Sequence, residues 1–138
     1  MDGELSTLPK TGEELRDWLV RLFPDFALMF VDNYQYPPDE TLTSHRACSA
    51  FTDYYLTRIP SFSAPEVVEL FRVTEFVLAT QFWNGDTIAN ALCTCFLENI
   101  SCTDQGHAGR PLMGAETLRF FDGWHYPYLD QRGLPRSF

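Results

Sequence analysis

Apolar residues recur at intervals of three and four positions in several segments of this chain, and this spacing constrains the fold most strongly. Between residues 12 and 23 the series is Leu15, Trp18, Leu19 and Leu22, which places all four on one face of an α-helix. No six-residue stretch alternates convincingly between apolar and polar residues, as a half-buried β-strand would. The spacing predicts an all-α protein, folded as a single compact bundle of about five or six helices.

Capping sequences and prolines mark the ends of the predicted helices. Thr11 and Glu14 form a capping box, in which each side chain is expected to bind an amide of the first helical turn. Ser63-Ala-Pro-Glu66 is a second capping box with proline in the first turn, and Asp86 is expected to cap the helix that follows. The predicted helices cover residues 12–23, 25–31, 42–59, 63–82, 87–100 and 115–121.

Proline and glycine also predict the segments that are not helical. Residues 33–39 contain paired prolines and residues 101–111 contain two glycines and one proline, so both segments are predicted to be loops. Gly123 is expected to end the last helix. The predicted organisation is an N-terminal arm at residues 1–10, a helical domain at 11–124 and an extended C-terminal tail at 125–138.

The charge balance restricts the partners that this chain can bind. Nineteen acidic side chains outnumber ten basic ones, for a net charge of -9, which argues against nucleic acid and anionic membranes as partners. Residues 1–40 carry nine of the acidic side chains and only three of the basic ones. Two interpretations stay open: solvated faces that aid solubility, and a negative surface that steers a basic partner.

Hydrophobic content is sufficient for a core but too dispersed for a membrane span. The chain is 45% hydrophobic and 15% aromatic, yet its longest apolar run, Phe26 to Val31, has only six residues. The first residues are acidic and lack the apolar region of a secretory signal. These observations predict a cytoplasmic protein.

The four cysteines predict neither a metal centre nor a disulfide framework. Cys93 and Cys95 lie two positions apart in a helical pattern, about 200° around its axis, so they face nearly opposite ways. Adding Cys102 and His107 matches no zinc pattern. With Cys48, these residues are expected to be free thiols in a reducing compartment, and no metal or cofactor is predicted.

No catalytic motif stands out, so the chain is predicted not to be an enzyme. The three histidines lie far apart in sequence, and each is expected to be structural. Glu75 and Glu98 each lie within a largely apolar helix, where a buried carboxylate must be paired or hydrogen-bonded. They are interpreted as ion-pair or capping partners, with Arg72 or Arg46 as candidate cations. An acid–base pair is the alternative.

Several short sequences form a recognisable pattern over residues 14–124. They are Leu22-Phe-Pro-Asp25-Phe26, Leu70-Phe-Arg-x-x-Glu75-Phe, Gly85-Asp86, Asn90-Ala91, Cys95-Phe-Leu-Glu98-Asn-Ile100 and Leu112-Met-Gly-Ala-Glu116-Thr-Leu118. The pattern resembles a family of small, acidic, all-helical bacterial proteins of uncharacterised function that are regarded as immunity-like, from polymorphic toxin systems. Thr87-Ile88 stand where acidic residues often follow the Gly-Asp step in that family, and residues 125–138 lie outside the pattern.

The resemblance implies a non-enzymatic binding protein that neutralises a cognate toxin, and the acidic charge suits a basic one. A helical adaptor or structural protein that acts through self-association is the alternative, and a small-molecule-binding bundle is a third hypothesis. The oligomeric state is not predicted. Aromatic and arginine side chains ringed by acidic ones are the expected anchors of a protein partner, although the tyrosines would also suit core capping. The candidate partner-binding residues are Asp32, Tyr34, Tyr36, Asp39, Glu40 and Trp83.

Overall fold

Seven α-helices build the fold within residues 8–33, 42–85 and 87–135, which are the residues described by this computed structural model. No strand occurs in these ranges, so the all-α prediction is confirmed, with slightly more helices than the five or six predicted. The helices are α1 (Gly12–Leu22), α2 (Phe26–Asn33), α3 (Ser44–Arg58), α4 (Pro65–Thr80), α5 (residues 88–100), α6 (Asp104–Gly109) and α7 (Ala115–Arg132).

Helix α3 is the centre of the core. It packs against α1, α2 and α5, while α7 packs against α4 and α5. Phe51 is buried and its ring contacts the rings of Phe23, Phe26 and Phe96, with centroids 5.3–5.6 Å apart. Aromatic pairs at such separations add to the free energy gained from burial alone. The apolar spacing read from the sequence therefore corresponds to a contiguous aromatic core.

Helix α5 widens in its middle. It is α-helical over Ile88–Ala91 and Glu98–Ile100, and it forms a π-helical segment over Leu92–Leu97. Two side chains bind the carbonyl of Cys95 at this wide turn: the Thr52 hydroxyl donates at 2.5 Å and the Asn99 amide at 3.1 Å. The sequence predicted the helix but not the π-helical segment, because the contact with Thr52 is made across 43 residues.

The helix starts agree only in part with the predicted caps. At α1 the Thr11 hydroxyl accepts from the Glu14 amide, as predicted, whereas the Glu14 carboxylate accepts from the amide of Lys10, outside the helix. The predicted capping box at Ser63 is wrong, because α4 starts at Pro65 with no side-chain cap. Helix α5 is capped by Thr87, and Asp86, to which the sequence assigned this cap, lies outside the described residues.

The predicted loop at residues 101–111 is wrong, since most of it forms α6 and a 3₁₀ turn at Arg110–Leu112. The Thr103 hydroxyl accepts from the Gly106 amide and so caps α6. Gly106 lies so close to the preceding chain that a Cβ atom there would overlap the carbonyl of Ile100. A glycine interpreted as a loop signal instead allows two backbone segments to pack together.

The last helix is much longer than predicted. Gly123 does not end it, and residues 125–132 of the predicted extended tail are helical. Phe121, His125 and Leu129 follow one another at intervals of four and are all fully buried. Burial of this face keeps the chain helical through Pro127, and the helix ends only at Gly133, which has a φ of 68°.

The remaining predictions concern the second helix, the chain before α1 and membrane spans. The second helix runs Phe26–Asn33 rather than 25–31, and residues 34–39 of the loop predicted after it lie outside the described ranges. Residues 1–7 of the predicted N-terminal arm also lie outside them. Among the described helices, none is long and apolar enough to cross a membrane.

Candidate protein-binding surface

Aromatic side chains meet at the surface where the α4–α5 connection crosses α7. The rings of Trp83 and Phe120 form an edge-to-face pair with centroids 5.9 Å apart, and the Trp124 ring follows at 6.2 Å from Phe120. The Arg119 guanidinium lies 4.7 Å from the centroid of the Trp83 ring. Phe82 directly precedes Trp83 in the chain. These five residues are called the aromatic surface below.

Local structure explains how these side chains are positioned. Phe120 and Trp124 are four residues apart on α7, so the continuous helix places them on one face. The Trp83 indole N–H donates to the carbonyl of Leu78 at 2.8 Å, which fixes the ring at the end of α4. A hydrogen bond therefore holds the Trp83 ring, and one continuous helix holds Phe120 and Trp124. Phe82 belongs to the aromatic surface as the exposed chain neighbour of Trp83.

Exposure separates the aromatic surface from the core. The side chain of Phe82 is 83% exposed and that of Trp124 is 47% exposed, whereas Trp83 and Phe120 are half-buried. Tryptophan and arginine are the residue types that most often carry binding energy at protein interfaces. A contiguous group of exposed apolar side chains, rather than a single one, is the feature that marks an interaction surface, and the Trp83, Phe120 and Trp124 rings are contiguous.

The charges around the aromatic surface are balanced locally. The Arg119 guanidinium lies 2.8 Å from the Glu116 carboxylate, one helical turn away. The same arginine covers the face of Trp83, where a cation is attracted to the ring. The surface therefore carries little net charge of its own, within a protein that is acidic overall.

A partly buried hydrogen-bond cluster holds α7 against α4. The Glu75 carboxylate accepts from the amides of Glu116 and Thr117, at 3.0 and 2.9 Å, and from the Thr117 hydroxyl at 2.8 Å. Burial raises the pKa of Glu75, but these hydrogen bonds to its charged form outweigh it and hold the pKa below the ordinary value. Gly114 makes room for the carboxylate, because a Cβ atom there would lie 2.5 Å from its Cδ.

The two glutamates that the sequence treats alike have different surroundings. Glu75 is a capping partner, as one of the two interpretations proposed, and Arg72 instead pairs with Glu69. The Glu98 carboxylate has neither a hydrogen bond nor an ion pair among the described residues, so the expected partner is not found for it there. It lines a surface cavity together with Trp124.

Of the predicted partner-binding residues, the structure describes the side chain of one. Trp83 is half-buried and packs against α7, instead of lying at an exposed helix end. Asp32 belongs to α2, but its side chain is not among those described, and Tyr34, Tyr36, Asp39 and Glu40 lie outside the described residues.

Trp83 joins four residues that the sequence did not single out. They are Phe82, Arg119, Phe120 and Trp124. The spacing of Phe120 and Trp124 was visible in the sequence, but it carries meaning only if the helix continues through Gly123.

One histidine lies buried beside a thiol. His125 is fully buried and its Nδ1 contacts the carbonyl oxygen of Ser101. The Cys102 sulfur lies 3.9 Å from the same nitrogen. Burial raises the pKa of Cys93 to about 12, which suppresses the reactive thiolate.

The described part of the chain contains no metal centre. Nowhere in residues 8–33, 42–85 and 87–135 do three or more histidine, cysteine or acidic side chains converge as metal ligands. Comparisons of the whole chain with protein families, with curated proteins and with solved structures give no match.

Proposed function

We propose that this protein is a non-enzymatic binding protein of immunity type, which neutralises a basic protein toxin in the cytoplasm of a bacterium. The observation that carries the proposal is the aromatic surface, which has exposed phenylalanine and tryptophan side chains on an acidic molecule. Such side chains provide anchors for a protein partner. The negative net charge favours basic partners over acidic ones.

The excess negative charge supports a basic partner. The net charge is -9, and four arginines are already paired with carboxylates on the protein's own surface. These ion pairs are Arg16–Asp17, Arg72–Glu69, Arg110–Asp122 and Arg119–Glu116. An acidic surface steers a basic protein during encounter and allows association at about 10⁸–10⁹ M⁻¹s⁻¹ at low salt. The charge thus supplies speed and selectivity.

The aromatic surface supplies the affinity in this proposal. Phe82 and Trp124 are exposed on the free protein and would lose water contact in a complex. Trp83 and Phe120 hold Trp124 at a defined place through ring contacts. Side chains that are ordered before binding lose little conformational entropy when the partner arrives.

The test is co-expression with the product of the gene adjacent to its own, followed by measurement of growth and of co-purification. We expect the chain to relieve toxicity and to bind the product with an association rate that falls as salt rises. Combined replacement of Phe82→Ala and Trp124→Ala should weaken binding by at least about tenfold without changing the fold. Leu28→Ala is the matched control, since Leu28 is 72% exposed on α2.

Two outcomes would redirect the proposal. If Asp39→Lys with Glu40→Lys slows association while the aromatic variant binds normally, the interface is the segment originally predicted from the sequence. If neither toxicity nor binding is found, the immunity-type function is wrong.

Self-association through the aromatic surface is the second candidate, and the exposure of Phe82 favours it as well. Salt separates the two functions, because copies that each carry a charge of -9 repel one another. Added salt should therefore promote self-association and weaken binding of a basic partner. Sedimentation of the protein alone over a range of concentrations and salt measures the first effect.

A further inference from the structure

A cavity of about 380 Å³ adjoins the aromatic surface at the C-terminal end of α5. Trp124 belongs to both, so a partner seated on the aromatic surface would reach the cavity. The cavity is lined by Glu98, Asn99, Ser101, Cys102, Thr103 and Trp124.

The polar side chains of this cavity offer acceptors. The Ser101 hydroxyl donates to the Glu98 carbonyl at 2.9 Å and the Thr103 hydroxyl donates to the Ile100 carbonyl at 2.7 Å. The Asn99 amide nitrogen donates to the Cys95 carbonyl at 3.1 Å. Both hydroxyls and one N–H of the Asn99 amide are therefore bonded within the protein, whereas the Asn99 amide oxygen and the Glu98 carboxylate accept from no described residue. The cavity is suited to a ligand that donates hydrogen bonds.

The negative charge of the cavity also favours a ligand that donates hydrogen bonds, and in particular a cation. Glu98 is half-buried, and the C-terminal end of α5 adds the negative end of a helix dipole. No lysine or arginine lines this cavity. Two other cavities of similar size differ in this respect, since Arg21 and Arg72 line one and Arg58 lines the other.

Trp124 completes the set of contacts. Its indole is half-exposed, and Trp124 and Glu98 both line the cavity. A cation over a tryptophan face is attracted by the ring, and a guanidinium can stack on the ring while it donates two hydrogen bonds to a carboxylate. An ammonium is a point charge and lacks this planar match.

We propose that this cavity binds the side chain of an arginine presented by the basic partner, with the guanidinium between the Glu98 carboxylate and the Trp124 ring. The inference rests on the proposed function and adds the chemistry of the partner's anchor residue. Trp124 belongs both to the cavity that would bind the arginine and to the aromatic surface, so one residue would contribute to both contacts.

The test uses the isotope-labelled full chain and a defined probe, Nα-acetyl-arginine methylamide, titrated by NMR. We expect saturable shifts of the Trp124 indole N–H and of the Asn99 amide. The corresponding citrulline amide, which has the same shape without the charge, should produce none, and the lysine amide should bind more weakly. Glu98→Gln should weaken binding of the arginine probe about tenfold or more, because a charge-assisted pair is lost. Glu66→Gln, an exposed acid on α4, is the control and should leave binding unchanged.

Equal shifts with the citrulline amide, or unchanged binding by Glu98→Gln, would overturn the inference. Failure here is distinguishable from failure of the proposed function. If the arginine probe leaves Trp124 unshifted while the adjacent-gene product still binds through the aromatic surface, only the cavity is wrongly assigned. If the probe binds but no basic protein does, the cavity recognises arginine and the immunity-type function is the part that fails.

Discussion

Glu75 and Glu98 lie in similar sequence surroundings but differ in their hydrogen bonds in the structure. Glu75 accepts three hydrogen bonds from the first turn of α7, and Glu98 accepts none from the described residues while it lines a cavity. A carboxylate whose acceptors are all used stabilises the fold. One whose acceptors are unused keeps its binding capacity for another molecule. The comparison separates a structural glutamate from a candidate binding glutamate on physical grounds.

The region around Glu75 also controls the region around Glu98. Helix α7 begins at the Glu75 carboxylate and carries Phe120 and Trp124. Displacement of the start of α7 would therefore move the aromatic surface and the wall of the cavity together. Glu75 therefore helps to position the helix that carries the aromatic surface.

Replacement of Glu75 should have the largest effect on stability of the changes considered for the two glutamates. Glu75→Ala should lower the free energy of unfolding by about 2–3 kcal/mol, because it leaves two amides and the buried Thr117 hydroxyl without an acceptor. Glu98→Ala, the matched control, should change it by less than about 0.5 kcal/mol. Urea denaturation of both variants measures the difference, and equal losses would contradict the distinction between the two glutamates.

The next largest effect concerns the space that Glu75 occupies. Gly114 has an extended backbone with ψ near -176° that any residue can adopt, so Gly114→Ala is opposed only by overlap with the Glu75 side chain. We expect a cost of about 1–2 kcal/mol in the wild type and a smaller one when Glu75 is already alanine. A double-mutant cycle by denaturation tests this. An identical loss of unfolding free energy in both backgrounds would show that the alanine does not overlap Glu75. The control is Gly123→Ala, because a Cβ atom there would meet nothing within 4 Å.

Lowering the pH should have the smallest effect on the free energy of unfolding that can be assigned to Glu75. The pKa of Glu75 is lowered in the folded protein, so its contribution to stability is fully present above the pKa of the unfolded chain and is lost as the pH falls through the lower pKa of the folded state. Glu75→Gln removes this titration. The free energy of unfolding of the variant, measured between pH 3 and pH 6, about the range of carboxyl titration, should therefore fall less steeply with acid than that of the wild type. Parallel curves would show that the carboxylate is not held by these hydrogen bonds.

Strong local signals were sufficient for much of the fold. The apolar spacing of α1 and the hydroxyl of Thr11 lie within a few residues of the amides and side chains that they contact, so the sequence contains the whole interaction. The π-helical segment of α5 and the cap of α7 are different, because each depends on a side chain more than 40 residues away. No local pattern records such contacts.

The candidate site was largely beyond reach of the sequence for the same reason. Trp83 was selected, but its neighbours Arg119 and Phe120 come from a distant helix. Glycine and proline near the end of the chain indicated a stop at Gly123, and this removed Trp124 from the predicted helix. Burial of Phe121, His125 and Leu129 outweighs those local preferences.

The local spacing of apolar residues and the excess of acidic ones were enough to predict the all-α class, the acidic charge and most helix positions, since periodicity and charge are properties of neighbouring residues. Three features instead depend on contacts between distant segments: the hydrogen bonds of Glu75, the extent of α7 and the gathering of aromatic rings at the surface. Such contacts arise from packing, to which the whole chain contributes, so no local pattern predicts them.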